Sequence, residues 1–553
     1  MTVVAAIQAD LDTTPLGTRS RLADGWDGTS WLRRTVDRVA RVRNLRGVFV
    51  LCPGDQHDRC AALLDGTGAL VRSHEPYVAP WRSLVQAARK WSLDGWRGGI
   101  GGTTSFDEYC DCPAVSGLLN AVGADAVLSI PPAAPFFDPE LADRMIGHLA
   151  ADDEVRMVFT QAPPGLSGLV MDADLVHELA DKGIPVGWVL NYKPDAPQKD
   201  LIFQSCCYDI PAVLRHTTRR LIADTDRAVE RIRDLAAHAT DPDLATVGAW
   251  LTRRDETHVP PLPHEVEIEP TTDDAYPDAL LRPRGPRLER TGMIDPAVVE
   301  AVADELRRYD DSLMVLGGFG DPLRHPQFRD IVHAARCPGR GVYGLAVRTT
   351  GVDLADDAVN AMIDARVDVL NVILDAWTPQ RYAALQTPRA VDEASRVRLA
   401  DHTGADRRAD GSPPADHDAR ADLDAVLRRL DRLNELRQAK RTATPLTLPE
   451  MTKAVDNVDE LDDFFDGWIR RAGAVHVSGH SRFAGQLDDR SVINMAPPNR
   501  TPCRRIRARC MILADGRLTV CDQDFRGVED LRQFGVREFR RPFEMPRRFD
   551  DDF

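Results

Sequence analysis

Short apolar runs alternate with helical patterns over the first 225 residues. Residues 3–9 (VVAAIQA), 47–53 (GVFVLCP), 125–131 (DAVLSIP), 155–163 (VRMVFTQAP) and 185–191 (PVGWVLN) read as strands. Residues 30–42, 139–150 and 172–183 carry apolar positions at helical spacing. Strand–helix alternation predicts an α/β domain of Rossmann type over 1–225, with a largely parallel sheet covered on both faces. Residues 226–262 hold an amphipathic helix and then a Pro-rich joint, HVPPLPHE, and are expected to link two domains. A second α/β region follows over 263–490. Its strand candidates are 265–269, 312–318, 344–351, 367–376, 443–451 and 473–480, with helical patterns such as 295–309 between them. A succession this regular predicts a full or partial (β/α) barrel. The polar stretch 388–420 interrupts it as an expected disordered insertion. A small C-terminal piece, 491–553, completes the chain.

The chain has 553 residues, a net charge of −16, 43% hydrophobic and 28% charged residues. That composition supports real cores and argues against a general polyanion binder, so no nucleic-acid partner is expected. No apolar stretch approaches the roughly 20 residues of a membrane helix. The start, MTVVAAIQADLD, lacks a positive n-region and reads as a first strand rather than a signal peptide. A cytoplasmic location is expected, and there cysteines do not form a disulfide framework. Cys52, Cys60, Cys110, Cys112, Cys206 and Cys207 are read as core thiols, the last two in an apolar strand. No P-loop, Ser-His-Asp motif or zinc-protease signature is present.

Residues 317–332, GGFGDPLRHPQFRDIV, resemble the Gly-Gly-x-x-Glu-Pro segment of the radical SAM superfamily, with Asp321 in place of Glu. Residues 347–351 (VRTTG) resemble its Thr-Asn-Gly strand end, and 367–385 its Ser-Leu-Asp-Ala segment followed by Tyr. The resemblance implies a partial barrel in which Gly317, Gly318, Gly320, Asp321, Thr349 and Asp375 hold S-adenosylmethionine. That family also needs Cys-x3-Cys-x2-Cys after the first strand, to anchor a [4Fe–4S] cluster. Here the aligned positions are Asp274, Asp278 and Leu281. Carboxylates are hard ligands and poor iron–sulfur anchors, so the ordinary radical reaction is not expected.

Residues 501–527, TPCRRIRARCMILADGRLTVCDQDFRG, resemble the start of a SPASM domain. The resemblance implies an auxiliary iron–sulfur site, here cut short. Cys503, Cys510 and Cys521, with Asp522 or Asp524, form a candidate iron or zinc set. The favoured alternative is a vestigial hairpin with buried thiols. Residues 3–39 and 127–146 resemble sugar-nucleotide and cofactor nucleotidyltransferases. That resemblance implies a phosphate-cradling loop at 10–22, with Gly17, Arg19 and Arg21 as nucleotide contacts. The family's metal-binding Asp is replaced by Ala133. Together the three parts resemble fusion proteins sometimes called spiro-SPASM.

Other candidates stand beside these. Residues 96–113 join four glycines to Arg97, Asp107 and Glu108, read more readily as a surface loop than as a phosphate site. His476 and His480 are expected on one strand face, with Glu450, Thr452, Lys453 and Asp375 near the barrel mouth. Three functions follow in order. The first is a degenerate member that binds a nucleotide, S-adenosylmethionine, another small molecule or a peptide, as an accessory to a partner protein. The second is an iron–sulfur oxidoreductase or modifying enzyme using the tail cysteines. The third is nucleotidyl transfer to a sugar or cofactor through carboxylates such as Asp10 or Asp107.

Overall fold

The first strand, β1 (Val3–Gln8), is buried on both faces. Val3, Ala5 and Ile7 join one apolar core, while Val4 and Ala6 join another on the opposite face. An unbroken apolar run is what a central parallel strand requires. The computed structural model describes residues 1–74, 78–258, 261–336, 341–387, 421–483, 485, 487–493, 508–519, 522–527 and 529–530. The expected insertion at 388–420 and the tail cysteines Cys503 and Cys521 lie outside the described residues.

The chain divides into two units, the first comprising Met1–Val259 with Arg307–Leu313 and Val342–Gly344. Its strands after β1 are β2 (Gly25–Trp26), β3 (Thr29–Ser30), β4 (Val48–Pro53), β5 (Leu70–His74), β6 (Ala126–Ile130), β7 (Met157–Val158) and β8 (Leu169–Asp172). Six of them form one sheet in the order β5-β4-β1-β6-β8-β7, and β2 pairs with β3 in a small ribbon. The first four strands of that order are mutually parallel, and β8 and β7 add antiparallel pairs at one edge. Helices start where polar caps permit. Ser30, Asp138 and Asp172 each accept a backbone N–H from the first turn of the helix that follows, Trp31–Val39, Pro139–Ala151 and Ala173–Lys182. The helices Asp226–His238 and Leu244–Thr257 bury Ile232, Leu235, Val247 and Leu251 in the first unit's core.

Two strand expectations are corrected here. Residues 185–191 contain the short helix Gly187–Leu190 instead of a strand. The Gly187 N–H donates to the buried Asp107 carboxylate at 2.8 Å, which ties the segment to a side chain rather than to the sheet. Around Cys206 and Cys207 there is a 3₁₀ turn, Leu201–Phe203, and a lone bridge between Phe159 and Cys207.

The second unit is built on β9 (Glu265–Ile268), β10 (Leu313–Leu316), β11 (Gly344–Thr349), β12 (Val369–Ile373), β13 (Leu446–Lys453), β14 (His476–Gly479), β15 (Arg509–Ile512), β16 (Arg517–Thr519) and β17 (Glu529–Asp530). Their spatial order is β14-β13-β12-β11-β10-β9-β15-β16-β17. Strands β9 to β14 therefore lie in chain order with helices between successive strands, the signature of repeated βα units. The hairpin β15–β16 extends the same sheet, because β15 pairs in parallel with β9. Both sheets are rich in parallel pairs, and the protein is of mixed α/β class. Among the described residues no helix is long and apolar enough to cross a membrane.

Leu128 sits fully buried in β6 at the centre of the first core. Leu128→Ala is expected to lower unfolding stability by about 2–5 kcal/mol, read from the denaturation midpoint in urea.

Candidate functional site

In the first sheet β4 and β5 lie on one side of β1 and β6 on the other. Connections leaving β1 and β6 diverge there, and such a switch point opens a crevice at the carboxyl ends of the strands. A cavity of about 340 Å³ occupies that place. Around it lie Gln8–Asp10 at the carboxyl end of β1, Pro53 at that of β4 and Pro131–Ala133 just past β6.

The loop at 10–22 forms one wall, and its acid is spent on its own shape. Asp10 accepts the backbone N–H groups of Asp12 and Thr13 at 2.9 and 3.0 Å and the Gln56 amide at 3.0 Å. Burial by itself raises the Asp10 carboxyl, but these donors outweigh it and hold it below its ordinary value. Thr14 and Thr18 close a tight turn in which Gly17 takes a positive φ of 81°. Gly17 and Arg19 do not line the cavity, and Arg19 pairs with Asp24 at 2.9 Å. Arg21 does line it, with its guanidinium engaged by Asp226 at 2.7 Å and Asp310 at 2.6 Å.

The opposite wall comes from the stretch at 96–113, and sequence reasoning missed most of it. Glu108 lies fully buried between two arginines, bonded by Arg89 at 2.7 Å and Arg220 at 2.6 Å. Arg220 also holds Asp224, and Glu108, Arg220 and Asp224 all line the cavity. Burial raises the Glu108 carboxyl, but Arg220 and Arg89 overcome that and hold it below its ordinary value. Asp107, the other acid singled out there, is a capping residue. It accepts from the backbone and hydroxyl of Thr104 and from Gly187. Arg97 pairs with Asp200 and stacks on Trp96. Cys110 and Cys112 are core thiols.

Asp111 differs from every acid around it. Its backbone is clamped to Gln8, whose Oε1 accepts the Asp111 N–H at 2.6 Å and whose amide donates to the Asp111 carbonyl at 3.1 Å. The residue is only 8% exposed, lines the cavity, and leaves its Oδ1 buried without a hydrogen-bond partner. Burial raises its carboxyl above the ordinary value, while Arg82 and His74 pull it partway back. Both of those residues also line the cavity. The signal available in the sequence was a lone Asp between two buried cysteines, which does not by itself mark a site.

In the second unit the structure brings Gly317, Gly318, Gly320, Asp321 and Thr349 together at the ends of β10 and β11. Asp321 is fully buried and accepts from Thr349 Oγ1, from Thr350 N and Oγ1, and from Leu323 N. Asp375, just past β12, accepts the Thr452 N–H at 2.7 Å. Glu450 is bound by Arg348 at 2.6 Å and by Arg282, and His476 lies 3.6 Å away. His480 points elsewhere, to the Asp488 carbonyl at 3.0 Å. Cys510 is buried in β15, where burial pushes its thiol up to about 12, and Asp522 pairs with Arg509 at 3.3 Å.

Neither implied group fits the residues present. At the cluster position Asp274 is paired with Arg284 and Leu281 is buried, so no thiolate set exists there. At the nucleotidyltransferase metal position Ala133 offers no ligand, and the Asp10 carboxylate is taken up by its own loop. Among the described residues no group of three or more His, Cys, Asp or Glu side chains is arranged to hold a metal ion.

No protein-family description matches the chain. A curated relative from Treponema pallidum (strain Nichols), described as an uncharacterized protein, is 33% identical over 76 residues. That match covers 14% of this chain and 21% of the relative, so the chain spans about a fifth of the relative's length. A cytidylyltransferase structure from Leptospira borgpetersenii serovar Hardjo-bovis is 14% identical with a TM-score of 0.31, covering 46% of this chain and 94% of that one. Streptococcus suis SuiB bound to precursor peptide SuiA is 12% identical with a TM-score of 0.33, covering 65% and 75%. BtrN in complex with AdoMet and 2-DOIA is 12% identical with a TM-score of 0.28, covering 51% and 85%. At such scores the chemistry has to be argued from this chain's own residues.

Glu108→Gln leaves Arg89 and Arg220 without their shared charge in the interior. It is expected to cost about 3–5 kcal/mol of stability at neutral pH. Glu108 has a depressed folded value, so its contribution is complete above the ordinary glutamate range and is lost as pH falls from there through the lowered folded value. Urea unfolding of both proteins from pH 7 to pH 3 should show the difference between them shrinking at low pH.

Proposed function

We propose that the protein binds a nucleotide-sized polar ligand in the crevice of its first unit and works as a binding or accessory protein. The observation that carries this reading is the orphaned Asp111 oxygen inside a cavity at the sheet's switch point. A buried acceptor without a donor is costly, and a site of this kind is satisfied when a ligand supplies the N–H or O–H. The cavity, about 340 Å³, lies within the range of small-molecule sites. Crevices at this place in α/β sheets take nucleotides, which makes a nucleotide the first class to test and S-adenosylmethionine, which carries a nucleoside, the second.

The chemistry of the crevice is recognition. Asp111 accepts a donor from the ligand, the Arg82 guanidinium lies beside it as a counter-charge, and the Arg89–Glu108–Arg220–Asp224 network braces the wall. Nucleotidyl transfer is not favoured, because Asp10 and Asp107 already serve the loop and the cap. A partner protein that uses the bound ligand completes the proposal.

Asp111→Asn separates binding from stability. With a raised folded value, the Asp111 carboxyl favours the fold most below the ordinary carboxylate range, and that support is lost as pH rises through the folded value. The amide removes this loss. At pH 7 the unliganded variant is therefore expected to melt slightly higher than the native protein, with a gain of about 1 kcal/mol. Its ligand affinity is expected to fall about tenfold or more, since a hydrogen bond to a charged acceptor is removed. Thermal shift and calorimetry with nucleoside mono-, di- and triphosphates and S-adenosylmethionine provide the check. A native protein that none of these stabilises would overturn the reading.

A further inference from the structure

We infer that the barrel of the second unit is closed to S-adenosylmethionine and to an iron–sulfur cluster by its own side chains, with Arg282 and Arg284 acting as built-in counter-ions at the mouth. The inference concerns a different unit from the ligand crevice and stands apart from it.

The barrel interior is crowded with acids. Glu267, Glu269, Asp274, Asp321, Asp375 and Glu450 are each at most 7% exposed. Charges this deep need a partner in place, because moving a carboxylate out of water costs several kcal/mol even after relaxation. In a barrel with a bound cationic cofactor the ligand can share that duty. Here the chain does it alone. Arg509 bonds Glu267 at 2.6 Å, and Arg290 forms a two-pronged pair with Glu269. The loop after β9, where the resemblance would place the three cysteines, instead sends two guanidinium groups inward. Arg284, 3% exposed, pairs with Asp274. Arg282 reaches Glu450, the Thr452 hydroxyl at 3.0 Å and, at 4.0 Å, Asp375. Arg348 closes the other side of Glu450 at 2.6 Å.

Asp321, the acid expected to hold the ligand's amino group, has no capacity left. A carboxylate offers about four acceptor sites. The Asp321 oxygens already take the Thr349 hydroxyl at 2.8 Å, the Thr350 N–H at 2.9 Å, the Thr350 hydroxyl at 2.5 Å and the Leu323 N–H at 3.1 Å. The glycines beside it answer to the chain rather than to a ligand. A Cβ at Gly320 would stand 2.1 Å from the Thr271 carbonyl oxygen, and one at Gly318 would stand 2.7 Å from the Glu269 Cβ. Both contacts come from β9 and the loop that follows it.

The test uses the full chain. S-adenosylmethionine is titrated by calorimetry into the native protein and into Asp111→Asn. Anaerobic reconstitution with iron and sulfide is followed by an iron count on a Cys503→Ser, Cys510→Ser, Cys521→Ser variant, which removes the tail thiols as a source. No calorimetric signal, or one whose affinity falls about tenfold or more in Asp111→Asn, supports the closed barrel; binding of unchanged affinity in Asp111→Asn overturns it. Iron retained by the cysteine variant also overturns it, and its absence supports it. The counter-ion role is read separately from melting temperatures of Arg282→Met, Glu450→Met and the pair. Arg282→Met is expected to lower melting by about 5 °C or more, and the double variant to lose less than the two singles summed. Additive losses would overturn the counter-ion assignment. Should a single variant fail to fold, the titration and the iron count decide the matter unaided.

Discussion

Glu108 and Glu450 solve the same problem in the two units. Each is a carboxylate removed from water and held between two arginines, Arg89 and Arg220 in one case, Arg282 and Arg348 in the other. A pair of this kind adds little net stability over an apolar core, but losing one member strands a charge and is strongly destabilising. The surrounding chain must therefore hold all members in register. In the first unit that requirement ties the stretch at 96–113 to the turn at 220–224. In the second it ties the loop after β9 to β11 and β13.

Four other acids show how differently one side chain can be used. Asp10 shapes a turn, Asp107 caps one and receives Gly187, and Asp321 braces two threonines. All three have their oxygens committed to neutral donors from their own surroundings. Asp111 is buried as well, more deeply than Asp10, but has one oxygen with no donor, and it faces a cavity. A site can be recognised by that contrast, because native interiors seldom leave a buried acceptor unpaired. The second unit, by comparison, sets arginines of its own chain against its buried acids.

Much of the fold was legible because hydrophobic period is local. The runs at 3–9, 47–53 and 125–131 became β1, β4 and β6, and the regular βα succession after 263 became one sheet in chain order. The misreadings had a common cause. Residues 185–191 and the stretch around Cys206 are as apolar as strands, but no ladder takes them. Gly187 is bound instead by an acid eighty residues away, and Cys207 makes a single bridge to Phe159. Among the site candidates, Arg21 was noted as a phosphate contact, yet its charge is taken by Asp226 and Asp310. Asp111 and Arg220 carried no pattern at all.

The sequence by itself determined what ligands are missing. No folding can place thiolates at 274, 278 and 281 or a carboxylate at 133, so the ligand types that the two resemblances call for are absent at the level of residue type. It also determined the α/β class, through apolar runs of strand length separated by helical periods. Only the tertiary structure decided which buried acids meet arginines and that Asp111 keeps one oxygen without a donor. That outcome depends on side chains far apart in the chain, such as Glu108 with Arg220 and Arg282 with Glu450. Burial sets the cost of a charge and geometry sets its partner, and neither is a property of the local sequence.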